Sequence, residues 1–333
     1  MKYTKFGRTG LMVSRLCLGT ATFGKQSSEA VSVQILDRAA DAEVNFIDSA
    51  DGYPMGADFE LVGRTEEILG RWLKGKRDRF IVATKGGAPM GPAAWEQGAS
   101  RKRLLDAIDA SLRRLGTDYV DLYQLHFDDP GTPLDETLEA LDTIIRSGKA
   151  RYVGASNMLA YRLARATGIS EARRIVRFAS IQPRYSLLFR EIERELLPLA
   201  AEESLAVIPF NPLAGGLLSG KYRADDAPTG GRFASAEVGE MFSALYKQRY
   251  WQDQKFATVE AVREISAQSG IPIATLAVAW VLAHPQITSA ILGASKPEQL
   301  ADTLASSDVA LDPAVKARLD DLTAEYRKGD AVR

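Results

Sequence analysis

The sequence contains little cysteine and histidine and has almost no net charge. Its 333 residues include one cysteine, Cys17, and two histidines, so neither an internal disulfide nor a cysteine-based metal site is expected. Cys17 lies in an apolar, strand-like run, which is typical of a buried structural thiol. No cluster of His, Asp and Glu has the spacing of a metal site. Disulfide-stabilised and metal-dependent classes of protein are therefore disfavoured.

Long apolar runs and an excess of basic residues are also missing. No stretch approaches the ~18 uncharged apolar residues that a membrane-spanning helix needs, and the amino terminus has no signal-peptide core. The formal charge is −1 and the Lys and Arg residues are scattered, unlike those of a nucleic-acid-binding protein. We therefore expect a cytoplasmic protein that acts on a small molecule, without nucleic acid or membrane partners, as a monomer or homo-oligomer.

Two glycine-rich segments match only part of a phosphate-binding loop. Gly19–Lys25 and Gly215–Lys221 both fit its opening positions. The next residues are Gln26 and Tyr222, where a nucleoside triphosphate site needs a Ser or Thr hydroxyl for magnesium. The Gly-x-Gly-x-x-Gly pattern occurs nowhere in the chain, so a dinucleotide would not be bound in the Rossmann manner.

The sequence does contain a regular alternation of short β-rich runs with longer amphipathic segments. This alternation predicts repeated β-α units and a parallel sheet. Eight mostly apolar runs favour a closed α/β barrel, a (β/α)8 TIM barrel, over an open sheet, and we expect one domain over residues 1–333. The predicted strands are Leu16–Thr20, Asn45–Ala50, Phe80–Lys85, Val120–His126, Ala150–Ser156, Ser180–Tyr185, Ala206–Asn211 and Ser289–Ala294.

Three segments lie outside this repeat. Tyr3–Phe6 and Met12–Ser14 flank Gly7–Gly10 and predict an N-terminal β-hairpin that plugs the barrel floor. Residues 222–254 form a long, aromatic-rich loop for the C-terminal face, which is either a lid or a surface extension without catalytic meaning. Residues 328–333 are predicted to be a frayed tail.

Four polar side chains lie where the apolar runs end. Asp48 and Tyr53 follow the second run, Lys85 ends the third, and His126 ends the fourth. Active sites of such barrels lie at the carboxyl ends of the strands, so we expect these side chains to converge. The set suits carbonyl reduction, because Tyr53 can donate a proton, Lys85 lowers the pKa of that phenol, and Asp48 keeps Lys85 charged. His126 would orient the carbonyl oxygen or share the proton relay.

Each of these residues also has a structural interpretation. Asp48 and Lys85 are consistent with an ion pair at the barrel mouth, Tyr53 with a rim aromatic residue, and His126 with a strand-end histidine. Taken singly, the structural interpretation is the commoner outcome. All four at strand ends together favour catalysis. The other histidine, His284, ends a helical run, where a cation is common, and is assigned no catalytic role.

Several motifs in this order closely resemble the aldo-keto reductase family. They are Phe46–Tyr53, Gly63–Gly70, Thr84-Lys85, Leu125-His126, Gly154–Asn157, Gln182, Asn211–Leu213 with Gly220–Tyr222, and Leu292–Ser295 with Glu298-Gln299. The resemblance extends over nearly the whole chain. It implies hydride delivery from NAD(P)H to a small-molecule carbonyl substrate and a catalytic tetrad of Asp48, Tyr53, Lys85 and His126, with Tyr53 as proton donor.

The resemblance also implies a cofactor site built from several loops. Ser156, Asn157 and Gln182 would bind the nicotinamide carboxamide, and Phe210 would stack on its ring. The Leu213–Gly215 backbone and Lys221 would hold the pyrophosphate. The adenosine end is assigned to Gly293, Ser295, Lys296 and Gln299. The remaining cofactor contacts are assigned to Gly19, Thr20, Asp48, Asn211, Pro212, Leu213, Gly215 and Arg232.

The preferred cofactor depends on departures from the family pattern. Many NADPH-specific members have an arginine where this chain has Gln299, and Asp302-Thr303 replaces the usual Glu-Asn. Lys296 and Arg232 could supply the charge that selects NADPH, or could be solvated surface residues. We expect NADPH, with NADH as the alternative.

Two other functions remain open beside reduction of an aldehyde or ketone. The missing arginine leaves room for an NAD-dependent aldose or alcohol dehydrogenase. The resemblance includes cytoplasmic potassium-channel β subunits, which suggests a cofactor-binding regulatory subunit with little turnover. Those subunits tend to lack a histidine at the position of His126, so its presence favours an enzyme.

Overall fold

The computed structural model describes residues 1–226 and 228–329, and within them eight parallel strands form one sheet. Two antiparallel strands, β1 (Tyr3–Lys5) and β2 (Met12–Ser14), precede the sheet. Its strands are β3 (Leu16–Gly19), β4 (Phe46–Asp48), β5 (Ile81–Gly86), β6 (Val120–Leu125), β7 (Ala150–Ser156), β8 (Ser180–Gln182), β9 (Ala206–Val207) and β10 (Ala290–Gly293). Neighbouring strands pair in chain order from β3 to β9, and β10 pairs with β3.

The sheet closes on itself between β9 and the segment that leads into β10. Thr288 N donates to Val207 O at 2.8 Å, and Ile291 N donates to Pro209 O at 2.9 Å. Each strand of this part of the chain therefore has a neighbour on both sides. The predicted (β/α)8 barrel with an N-terminal hairpin is confirmed.

Helices connect the strands and cover the outside of the barrel. They are α1 (Glu29–Asp41), α2 (Arg64–Leu73), α3 (Arg101–Leu115), α4 (Leu134–Arg146), α5 (Ala160–Arg173), α6 (Leu196–Glu202), α7 (Ser235–Val238), α8 (Glu240–Tyr250), α9 (Asp253–Ser269), α10 (Ile273–Leu282), α11 (Leu300–Ala305) and α12 (Pro313–Leu322). In residues 1–226 and 228–329, no single helix is long and apolar enough to cross a membrane; α9 and α10 reach that length and composition only together, across a 94° bend.

Several strands are shorter than their apolar runs predict, among them β4 (Phe46–Asp48, predicted over 45–50), and in two of them a proline is the cause. The run 180–185 forms a strand only over Ser180–Gln182, and the run 206–211 only over Ala206–Val207. Pro183 and Pro209 have no backbone N–H to donate, and each interrupts its ladder. The pairing resumes beyond them, where Tyr185 N donates to Phe210 O at 3.2 Å.

The hairpin lies against the amino-terminal end of the barrel. The Phe6 side chain is fully buried among residues of the barrel strands, and its ring lies 5.8 Å from that of Phe46 in an edge-to-face arrangement. Gly7 has φ of +56°, and a Cβ there would lie 2.6 Å from Ala206 N at the start of β9. Cys17 is buried in the same apolar cluster. The predicted barrel floor and buried thiol agree with this packing.

The aromatic segment after the seventh barrel strand folds into helices that its sequence pattern does not predict. Residues 222–254, described except for residue 227, contain a 3-10 turn at Gly231–Phe233 followed by α7 and α8. The Phe233 ring is fully buried and lies 4.9 Å from Trp251. At the other end of the chain, a 3-10 turn ends at Lys328, and residues 330–333 of the predicted tail lie outside the described residues.

Candidate active site

Four predicted residues meet at the carboxyl ends of neighbouring strands. Asp48 ends β4, Lys85 lies in β5, His126 follows β6, and Tyr53 lies in the loop after β4. Lys85 Nζ donates to Asp48 Oδ2 at 2.5 Å and to Ser49 O at 2.8 Å, and it lies 3.4 Å from Tyr53 Oη. Because parallel strands end together, residues far apart in sequence form one group.

The Lys85 ammonium is fully buried and keeps its charge. Burial alone would lower the pKa of Lys85, but the Asp48 carboxylate and the Tyr53 phenol together outweigh burial and raise it. The three contacts of Nζ match the three donors of an ammonium group. The predicted role of Asp48 in holding Lys85 charged is consistent with this geometry.

The pKa of Tyr53 moves in the opposite direction to the sequence-based expectation. Burial is the largest effect and raises the pKa of the phenol, whereas Lys85 lowers it and Asp48 raises it. Lys85 acts as expected, but it only partly offsets burial. The expectation of a net lowering of this pKa is therefore wrong, and Tyr53 holds its proton at neutral pH.

His126 is a neutral side chain at the wall of the site. Burial, with a smaller effect of Lys85, lowers its pKa well below the usual range. Its ring lies 5.6 Å from that of Tyr53, edge to face, and stacks on Phe127 at 4.5 Å. Nδ1 is buried with no partner among the described residues. A neutral imidazole here can form a hydrogen bond to a ligand but adds no positive charge.

The second oxygen of the Asp48 carboxylate is bound by two glutamines. Gln124 Nε2 and Gln182 Nε2 each donate to Asp48 Oδ1 at 2.9 Å, and Gln182 Nε2 also lies 3.2 Å from Gln124 Oε1. The sequence predicts a cofactor contact for Gln182 and no role for Gln124. Gln124 lies two residues before His126 in a mostly apolar run, and alternate residues of a strand share a face. This spacing could have indicated that Gln124 points to the same side as His126.

A cavity of about 860 Å³ opens over this group. The predicted residues that line it are Gly19, Asp48, Tyr53, His126, Ser156, Asn157, Gln182, Phe210, Asn211, Pro212, Leu213, Gly215, Lys221, Arg232, Gly293, Ser295 and Gln299. Residues that sequence reasoning did not assign include Met55, Phe59, Val62, Phe127, Met241, Phe242 and Leu245, which make much of the wall apolar. A cavity of this size and lining suits a cofactor together with an apolar ligand.

Three predicted residues do not line this cavity. Lys85 lies behind Asp48 and Tyr53. Thr20 is fully buried, and its hydroxyl donates to Asp48 O at 3.0 Å. Lys296 lines an adjoining pocket of about 430 Å³. Arg232 lines the main cavity instead, with Nη1 2.7 Å from Met55 Sδ, so the two predicted cations do not lie in one group.

The turn after β9 combines left-handed backbone with a lysine that follows it, Lys221. Asn211 and Ala214 have φ of 59° and 50°, and Gly215 and Gly216 have φ of 72° and 102°. Non-glycine residues with positive φ have strained backbone and cluster at functional sites. A turn of this kind can point successive backbone N–H groups to one side. Burial lowers the pKa of the nearby Lys221, while Glu237 opposes this effect and Lys296 adds to it. A pyrophosphate fits these groups, because it would neutralise a desolvated cation.

No metal site accompanies the tetrad in the described part of the chain. Among residues 1–226 and 228–329, no group of three His, Cys, Asp or Glu side chains is placed to hold a metal ion.

The chain belongs to the aldo/keto reductase family, whose model matches residues 15–324. It is thus an oxidoreductase of a family that generally uses nicotinamide cofactors and acts on small molecules. The uncharacterized oxidoreductase YrpG of Bacillus subtilis is 38% identical over 97% of this chain and 96% of its own length. A probable voltage-gated potassium channel subunit beta of Oryza sativa is 34% identical over 93% and 92%. Versiconal hemiacetal acetate reductase of Aspergillus parasiticus is 32% identical over 94% of both chains.

Proposed function

We propose that this protein reduces an aldehyde or ketone to an alcohol, with Tyr53 as the proton donor and NADPH as the cofactor. The observation that carries the proposal is the contact chain from Tyr53 through Lys85 to Asp48 at the wall of the large cavity. When bound in this cavity, a reduced nicotinamide would supply the hydride for the carbonyl carbon. Ser156, Asn157 and Gln182 line this cavity and would hold its carboxamide.

The residues of the chain provide the proton and control the charge. Tyr53 transfers its proton to the carbonyl oxygen, and the phenolate that remains is stabilised by the Lys85 ammonium 3.4 Å away. Asp48 keeps that ammonium charged and fixed in place. The neutral His126 orients the carbonyl oxygen by a hydrogen bond, and Tyr53 is reprotonated from solvent after the product leaves.

Replacing Tyr53 by phenylalanine tests this function directly. Tyr53→Phe keeps the ring but removes the proton, so NADPH binding should persist while kcat falls by roughly 100-fold or more. The measurement is an NADPH-coupled screen of aldehydes, ketones, quinones and keto sugars, combined with equilibrium NADPH binding.

Tyr161→Phe is the matched control, because Tyr161 is an exposed tyrosine on α5. It should leave both quantities unchanged. Turnover of Tyr53→Phe at the wild-type rate would refute the role of Tyr53. Tight NADPH binding by the wild type without turnover of any carbonyl would instead favour a regulatory subunit, as the channel-subunit relative suggests.

An NAD-linked dehydrogenase is the second candidate. Asp302 lines the cavity, as do Ser295 and Gln299. A carboxylate at such a place accepts hydrogen bonds from a ribose hydroxyl and repels a phosphate. A lower Kd for NADH than for NADPH, with faster alcohol oxidation than carbonyl reduction, would favour this candidate.

A further inference from the structure

Gln124 is a fully buried polar residue of strand β6, between the buried residues Tyr123 and Leu125. Burying an amide without partners costs free energy, so its contacts indicate why it is tolerated. It donates from Nε2 to Asp48 Oδ1 at 2.9 Å and accepts at Oε1 from Gln182 Nε2 at 3.2 Å. It does not line the cavity, so any effect on a ligand must pass through Asp48 or Gln182.

The orientation of the Gln182 amide follows from these contacts. Its Nε2 donates to Asp48 Oδ1 at 2.9 Å as well as to Gln124 Oε1, and an amide nitrogen has two hydrogens. Both hydrogens are therefore in use, and Gln182 can present only its oxygen to a ligand in the cavity. Without Gln124, one of the two contacts that fix this orientation is lost.

The same contacts divide the Asp48 carboxylate between two tasks. Oδ1 accepts from the two glutamines, and Oδ2 accepts from Lys85, which also contacts Tyr53. An amide donor on Oδ1 disperses the negative charge of the carboxylate. The effect of that charge on Tyr53 is thereby reduced.

We propose that Gln124 is a positioning residue that couples the Tyr53–Lys85 pair to the nicotinamide carboxamide site through Asp48 and Gln182. The inference rests on the proposed function. Gln124 touches neither substrate nor cofactor. It fixes the orientation of the Gln182 amide, which binds the cofactor, and it reduces the effect of the Asp48 charge on the proton donor Tyr53.

The first test is Gln124→Met, which keeps the length of the side chain and removes both polar atoms. NADPH should bind roughly fivefold to tenfold more weakly, because one hydrogen bond contributes about 1 to 1.5 kcal/mol. The Kd is measured by quenching of intrinsic fluorescence, which needs no turnover. The alkaline limb of the kcat/KM profile should move to higher pH, since Asp48 then raises the pKa of Tyr53 more strongly. Lys85, Arg232 and His126 face Tyr53 as well and are unchanged in this variant.

The second test is Gln124→Glu, which also covers the case in which Gln124→Met does not fold. A protonated carboxyl group can replace both contacts of the amide, but an ionised one would face Asp48 at hydrogen-bond distance and repel it. NADPH affinity and turnover should therefore recover towards wild type as the pH falls. The melting temperature measured over the same pH range separates this recovery from a general loss of folding.

Tyr123→Phe is the matched control on the same strand. Tyr123 is also fully buried but faces away from Asp48, towards Leu104 O at 3.5 Å. This variant should keep the NADPH Kd and the pH profile of the wild type, whatever its melting temperature. The proposal is overturned if Gln124→Met leaves Kd and the alkaline limb unchanged, or if Tyr123→Phe shifts them equally. The proposed function fails separately, if Tyr53→Phe turns over substrate at the wild-type rate. The comparison of NADPH Kd values between the Gln124 and Tyr123 variants can still be interpreted in that case.

Discussion

Asp51 is a buried carboxyl group in the same motif as Asp48, on the side of the β4 loop away from the cavity. Arg103 Nη2 donates to its Oδ2 at 2.9 Å, while Oδ1 is buried with no partner among the described residues. Burial raises the pKa of Asp51 to about 7, with Arg103 opposing this effect and Glu66 adding to it. Arg103 also donates to Ala88 O at 3.2 Å, and Ala88 lines the cavity. The pair therefore supports the wall of the site.

We predict that Asp51 makes the protein less stable as the pH rises towards neutrality. Its folded pKa of about 7 lies above the unfolded value of about 3.9, so the folded state binds the extra proton between these limits. The stabilisation is complete below about pH 4 and is lost as the pH rises through about 7, at up to about 1.4 kcal/mol per pH unit.

Chemical denaturation between about pH 5 and about pH 8 measures this effect. Asp51→Asn should flatten the decline in the free energy of unfolding, because the amide does not titrate. Asp41→Asn is the control, since Asp41 is an exposed residue at the end of α1. If Asp51→Asn keeps the wild-type pH dependence, another group is responsible.

At the scale of elements, the segment 222–254 lies across the loops on the C-terminal face. Glu237 Oε2 accepts from Gln26 Nε2 at 3.1 Å and from Gly231 N at 2.8 Å. A Cβ on Gly56 would collide with the backbone of Val238, so the loop after β4 and the segment 222–254 are in direct contact there. Phe242, Leu245 and Tyr246 face the cavity. These contacts suit a lid whose closed position is held by the loops after β3 and β4.

We predict that this segment opens without cofactor and is ordered by NADPH. Hydrogen exchange of peptides from α7 and α8 should slow when NADPH is added, because closure protects their amides. Peptides from α3, on the outside of the barrel, are the control and should not respond. Slow exchange in α7 and α8 that is the same with and without NADPH would indicate a segment permanently packed on the barrel.

The helices of this segment show what sequence patterns cannot predict. The barrel strands could be predicted because each is a short apolar run, and α3 because Ser100 accepts from Arg103 N at its start. α7 and α8 have no such cap, and α8 is anchored by Tyr246 and Tyr250, whose rings lie 6.1 Å apart. Their stability comes from tertiary packing, which the local sequence does not encode.

For the whole molecule, the site was predictable to the extent that barrel geometry determines it. Asp48, Lys85 and His126 follow from one rule, because the carboxyl ends of parallel strands meet. The direction of the Tyr53 pKa shift did not follow, since it depends on how deeply the site is buried. The separation of Arg232 from Lys296 depends on loop conformation, which strand patterns do not specify.

The charge distribution of the whole molecule gives a prediction about cofactor choice. The net charge is −1, so no general field attracts an anion, and selection must come from local cations. Lys221 and Lys296 line the same pocket beside the main cavity, and the charge of Lys296 lowers the pKa of Lys221, which Glu237 opposes. A 2′-phosphate in this pocket would relieve that repulsion, so NADPH should bind more tightly than NADH at low salt. Salt screens exposed charges within about 10 Å at 0.1 M, so the difference should narrow as salt is added.

Lys296→Met separates this local effect from a general one. Lys296 is exposed, so removing it should reduce the preference for NADPH by roughly fivefold, the equivalent of about 1 kcal/mol, and leave the NADH Kd unchanged. Fluorescence titration of both cofactors at low and high salt measures the four constants needed. Lys74→Met is the matched control, because Lys74 is an exposed lysine at the end of α2, outside both pockets. Equal affinities for the two cofactors in the wild type at low salt would show that neither Lys221 nor Lys296 selects the phosphate, and tighter binding of NADH would favour the dehydrogenase.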